Sequence, residues 1–141
     1  MESIDAQPLG EYFGKLAHDS DLLEELTSFA SRKNISSGVF TVIGAVKYAK
    51  LGFYDQEKKE YCETEFNEPM EIISCNGNIT LKDGVKFAHA HACLCRKDHS
   101  TIGGHVFSMR VFAGEFHLRA FKDIILREYD AQTGLGLMDL Q

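Results

Sequence analysis

Apolar residues recur at helical spacing near the start of the chain and then give way to strand-like alternation. In "DSDLLEELTSFASRKNI" (19–35), Leu22, Leu23, Leu26, Phe29 and Ala30 fall on one stripe of a 3.6-residue period. Asp19 or Ser20 supplies an N-cap, and Glu24 and Glu25 occupy the first turns, where the helix dipole favours negative charge. Arg32 and Lys33 close the opposite end with the favourable sign. The pattern predicts one amphipathic helix whose apolar stripe belongs to the core.

From residue 37 onward the chain reads as strands. "SGVFTVIGAVKYAKLGFYD" (37–55) is rich in β-branched and aromatic residues and is punctuated by Gly38, Gly44 and Gly52. "EYCETEF" (60–66) alternates and pairs back through the polar turn "QEKK". After Pro69, "MEIISCNGNITLKDGVKFAHAHACLC" carries two turn signals, Asn76-Gly77 and Asp83-Gly84, and so predicts three short strands. "HVFSMRVF" and "EFHLRAF" are expected as separate strands divided by Ala113-Gly114, with "IILREYD" as a last strand and "AQTGLGLMDLQ" as a tail. The fold class expected is α+β: a single domain over 1–141, with a central, mostly antiparallel β-sheet packed with one main helix. Residues 1–9 form an N-terminal extension in this reading and 131–141 a C-terminal tail. No internal repeat or interdomain linker interrupts it.

Composition narrows the function. The 141 residues suffice to bury a core without disulfide or metal support, so a bound metal need not be structural. The net charge is −6, from 15 basic and 21 acidic residues, whereas a nucleic-acid binder carries a basic patch. The longest basic cluster is Lys58-Lys59, flanked by Glu57 and Glu60, which argues against DNA. No run approaches the roughly 18–20 apolar residues that span a bilayer. "MESIDAQPLGEY" lacks the basic and apolar regions of a signal peptide, so a cytoplasmic protein is expected. Cys62, Cys75, Cys93 and Cys95 contain no C-x-x-C pair, and Cys93 and Cys95 read as buried small hydrophobes.

The candidate chemistry lies in "FAHAHACLCRKDHSTIGGHVF" (87–107), which holds four of the six histidines. Strand alternation projects His89 and His91 to one side, about 6.5–7 Å apart. If Lys97, Asp98 and His99 form a three-residue loop, Arg96 opposes Ser100 and His91 opposes His105, so all three rings share a face. A two-residue loop would send His105 to the other face unless a bulge at Gly103-Gly104 restored parity. Three histidines leave a tetrahedral metal one open position, as in catalytic zinc sites. The expected ligands are therefore His89, His91 and His105, and the expected cofactor is zinc or another divalent transition metal. His117 is expected on a solvated polar face, His18 in a surface or capping contact, and His99 exposed in the turn. No dinucleotide, phosphate-loop or nucleophile-elbow motif is present, and no catalytic residue is assigned. Ala88, Ala90 and Ala92 give one strand face small side chains, which admit a helix or, the preferred expectation, a neighbouring subunit.

The series "DLLEELTSFASRKNISSGVFTVIGAVKYAKLGFYD", "EIISCNGNI", "HAHACLCRKDHSTIGGHV" and "AGEFHLRAF" resembles the PPC domain, the plants-and-prokaryotes conserved domain, over about residues 10–135. The H-x-H followed by GGH is its most specific part, and the likeness is to the stand-alone prokaryotic and archaeal type. The resemblance implies a homotrimer whose subunits pack sheet against sheet, with a metal site at His89, His91 and His105 near a subunit boundary. In plants the domain follows AT-hooks that grip A·T-rich DNA and mediates protein association. This chain has no Arg-Gly-Arg-Pro hook. Two functions follow as expectations: a trimeric metal-binding protein, or a DNA-associated or protein-association regulatory module without catalytic metal.

Overall fold

A few very long strands carry most of the chain, in place of the many short ones the turn signals suggest. The structure is a computed structural model describing residues 2–140. In chain order its elements are β1 (Pro8–Leu16), α1 (Leu22–Arg32), β2 (Ser37–Asp55), β3 (Glu60–Phe66), β4 (Met70–Lys82), β5 (Val85–Cys95), β6 (Thr101–Phe121), β7 (Leu126–Asp130) and β8 (Leu135–Asp139). Together they make a single domain, mostly sheet, with one helix.

Pairing closes the sheet on itself. β2 pairs with β4 along one edge (Gly38–Val46) and with β6 along the other (Ser37–Gly52). β5 bridges β4 to β6, completing the circuit. Register shifts in β2 and β4 let these long strands bend as they close. β1 extends the sheet beside β6, and β3 pairs with the end of β2. The β7–β8 hairpin joins β4 through one short parallel pairing, Leu81↔Leu126 and Lys82↔Arg127.

The helix begins one or two residues later than expected. Asp21, not Asp19 or Ser20, is the N-cap: its Oδ1 accepts from the Leu23 and Glu24 amides at 2.9 and 3.1 Å. Its Oδ2 accepts from Ser108 Oγ at 2.7 Å and the Met109 amide at 3.1 Å, so one carboxylate both starts the helix and ties it to β6. Leu22, Leu26 and Ala30 are fully buried with Val46, Leu94, Met109 and Leu118. Leu23 and Phe29 pack on the margin.

Four other expectations change. Asn76-Gly77 is no turn, because Gly77 lies in mid-strand where Phe40 and the His89 carbonyl approach it; only Asp83-Gly84, both with positive φ, reverses the chain. Ala113-Gly114 likewise stays inside β6, opposite Gly44. Residues 8–16 form a strand where only an extension ending at 9 was read, and the tail contains β8. Finally, Ala88, Ala90 and Ala92 are buried on a strand that packs against α1, so the helix occupies the space their small side chains leave.

Candidate metal centre

The β5–β6 hairpin sets the geometry. The Arg96 amide donates to the Ser100 carbonyl and the His99 amide to the Arg96 carbonyl, each at 2.9 Å, enclosing Lys97–His99 as a three-residue loop. His99 takes the left-handed conformation (φ 63°) that this reversal needs. Asp98 Oδ1 stiffens it by accepting from the Ser100 amide and hydroxyl at 2.9 and 2.6 Å. His91 then lies directly opposite His105, with His89 two residues along. No bulge is needed at Gly103-Gly104. A Cβ on Gly103 would lie 2.7 Å from the Ala92 carbonyl oxygen, and one on Gly104 2.6 Å from that of Gly52, so the glycines let β6 lie tightly between its neighbours.

The three rings converge. Centroid separations are 5.2 Å for His89–His91, 5.0 Å for His89–His105 and 5.5 Å for His91–His105. One nitrogen from each lies within 4.8 Å of the others. Two ligand nitrogens of a tetrahedral zinc are about 3.4 Å apart, given bonds of ~2.0–2.1 Å, so side-chain adjustment alone closes the set.

Electrostatics favour the neutral form that a metal requires. Burial, then the Arg127 cation and the neighbouring rings, push His89 down to about 4. Burial, then His91 and Arg127, do the same to His105. Both rings therefore offer a lone pair at neutral pH. His105 Nδ1 is also buried with no hydrogen-bond partner, a polar atom whose desolvation is uncompensated within the chain. A three-imidazole set with such an orphan fits a divalent transition metal.

Residues around the rings went unread in the sequence. Arg127 of β7 donates to Thr80 Oγ1 (2.9 Å), Asn78 Oδ1 (2.9 Å) and the Gly136 carbonyl (2.7 Å), and its Nη2 lies 3.2 Å from His89 Nδ1. Tyr61 of β3 and Phe107 each set a ring 4.8 Å from that of His105, and the two pack edge-on against each other at 5.2 Å. Arg127, Tyr61 and Phe107 line a cavity of about 360 Å³ with His89, His105 and Phe87. The only sequence signal for Arg127 was a lone cation in a strand-like run, since long-range pairing brings it here.

The remaining histidines lie elsewhere. His99 is exposed in the loop. His18 Nδ1 sits 2.7 Å from the Phe112 carbonyl and its Nε2 2.8 Å from Lys47 Nζ, a surface contact as expected. His117 is not simply solvated: it stacks on Phe13 with centroids 4.6 Å apart, and Nε2 lies 3.7 Å from Glu11. Cys93 and Cys95 are half-buried, not fully buried, and all four cysteines are free. Among the described residues, no helix is long and apolar enough to cross a membrane.

Several solved structures share this architecture. A metal-containing protein from Archaeoglobus fulgidus is 38% identical, with a TM-score of 0.94 over 98% of this chain and 99% of its own. A plant- and prokaryote-conserved (PPC) protein from Pyrococcus horikoshii is 31% identical, with a TM-score of 0.93 over 99% of this chain and 97% of its own. A candidate DNA-binding protein from Bacteroides thetaiotaomicron is 30% identical, with a TM-score of 0.88 over 96% of each chain. No curated protein matches the chain. The model of the Plants and Prokaryotes Conserved (PCC) domain matches residues 4–122. With that match spanning most of its length, the chain belongs to the plants and prokaryotes conserved domain family.

Proposed function

We propose that this chain is a metal-binding protein in which His89, His91 and His105 hold one divalent transition metal, zinc being the best match to three neutral imidazoles. The observation that carries this reading is the convergence of three ligating nitrogens within 4.8 Å on one rigid hairpin. The orphaned His105 Nδ1 and the metal-containing Archaeoglobus protein support it. Bound there, zinc would act as a Lewis acid with a coordination position left for water or a small ligand. Protein purified without chelator is expected to carry about one zinc per chain by elemental analysis, and His89→Ala less than about a tenth of that. Unchanged stoichiometry in the variant would contradict the assignment.

The reading includes a homotrimer. Phe13, Val39, Ile43 and Ile73 are 82%, 48%, 58% and 56% exposed, a large apolar content for the outer face of a closed sheet. Sedimentation equilibrium is expected to give three 15.8 kDa chains per particle, and Ile43→Asp to shift the population toward monomer. A wild-type monomer at micromolar concentration would overturn the trimer.

The Bacteroides protein's description favours a second reading, a DNA-associated module, against which the net charge of −6 stands. Salt-sensitive duplex binding by a metal-free preparation would favour that reading instead.

A further inference from the structure

The charges around the cavity beside the histidines differ in sign from those of the protein. The chain is acidic overall, yet the charged residues lining this space are Lys82 and Arg127, with no Asp or Glu among them. Arg127 is half-buried, and its four contacts are a hydroxyl, an amide oxygen, a carbonyl and an imidazole. A desolvated guanidinium held entirely by neutral acceptors retains an unmatched charge. Three of its five N–H groups serve Thr80, Gly136 and Asn78, which fix its plane; at least one N–H on Nη1 is not committed by these bonds. Phe87 contacts both cations, with Lys82 Nζ 5.4 Å and Arg127 Cζ 5.5 Å from its ring centroid. The other walls are apolar or aromatic: Leu23, Tyr61, Phe107, Leu135 and Leu137.

We propose that this cavity binds a small organic monocarboxylate, its carboxylate on Arg127 beside His89 with Lys82 at the margin, and its apolar body among Phe87, Phe107 and the leucines. At about 360 Å³ the space is at the lower end of small-molecule sites, which suits a ligand of a few heavy atoms. Apolar walls with few donors suit a carboxylate on a hydrocarbon body better than inorganic phosphate, which takes many donors at once.

Arg127 also links this ligand to the metal, and that part of the inference rests on the metal reading. A guanidinium cannot accept a hydrogen bond, so its contact with His89 Nδ1 makes Nδ1 the bare nitrogen and places the ring proton on Nε2. A metal on Nδ1 displaces the contact. A metal on Nε2 puts the proton on Nδ1, facing a donor. Either way, metallation of His89 releases an Nη2 N–H from the imidazole, and a carboxylate arriving at Arg127 takes it up while neutralising the cation nearest the metal. Carboxylate and metal therefore strengthen each other's binding, by reciprocal factors.

Isothermal titration of propionate, isobutyrate, propionamide and inorganic phosphate into zinc-loaded and zinc-stripped full-length protein tests this, with zinc measured in parallel. The carboxylates are expected to bind at least tenfold tighter than propionamide or phosphate, tighter with zinc than without, and at least tenfold more weakly to Arg127→Met. Arg127→Lys is expected to recover part of the loss. Equal affinity for acid and amide in the wild type, which needs no variant, would overturn the inference, as would a preference for phosphate. A protein that holds zinc but shows either result loses the carboxylate site and keeps the metal site. One that takes up no zinc yet binds carboxylates through Arg127 keeps the carboxylate site and loses the metal site.

Discussion

Gly77→Ala is expected to lower the unfolding free energy by about 3 kcal/mol, the upper end of overpacking penalties, and to weaken metal binding in the folded fraction. A methyl group there would press on the His89 carbonyl oxygen on one side and the Phe40 ring on the other, with Phe40 Cε2 at 2.8 Å. Neither neighbour can yield cheaply. The carbonyl belongs to the β4–β5 pairing of Asn78 with His89, and Phe40 is a buried core ring only 2% exposed. Relief by moving β5 would displace the first of the three imidazoles. Gly136→Ala is the control: no atom lies within 4 Å of its added Cβ, and a change within about 0.5 kcal/mol is expected. Urea denaturation of the two variants, followed by zinc titration, checks both halves; equal stability would show that β4 and β5 are less tightly held than described.

The second large effect concerns acid. In metal-stripped protein, stability is expected to fall as pH drops from about 6.5 to about 4 and then to level off with respect to these rings. His89 and His105 titrate near 4 in the folded chain, against 6.5 for a free ring. Between those values the unfolded chain binds protons that the folded chain does not, so acid favours unfolding there. Above 6.5 both states are neutral and the contribution is flat. The full shift corresponds to about 3 kcal/mol per ring, reduced by solvent screening at half-buried positions to about 1–3 kcal/mol. Denaturant midpoints measured from pH 7.5 to 4 should show this slope in the wild type and a shallower one in His89→Gln/His105→Gln. Parallel slopes would mean that the rings are not desolvated as the structure has them.

Local periodicity made parts of this molecule legible and long-range packing hid others. The stripe from Leu22 to Ala30 gave the helix because amphipathic spacing is a local property. The shared face of His89, His91 and His105 could be read because strand alternation and loop parity are local too, and Lys97–His99 forms the loop that parity required. Asn76-Gly77 misled for the opposite reason. Its residue types suit a turn, but the glycine serves a close approach between β2, β4 and β5 that only the closed sheet reveals. β1 was missed because it pairs with β6 alone and leaves Leu9 and Phe13 exposed, so its alternation carries no clean apolar side. Arg127 showed locally only as a lone cation in a strand-like run, which does not point to a site. Two residue pairs of parallel sheet deliver it to His89, and nothing near residue 127 specifies that pairing.

Anomalous diffraction collected on both sides of the zinc edge, from crystals grown without chelator, tests the central claim most directly. One peak per chain is expected within about 2.0–2.1 Å of a nitrogen from each of His89, His91 and His105. A zinc peak held by other residues, or no peak at these rings in zinc-supplemented crystals, would contradict it.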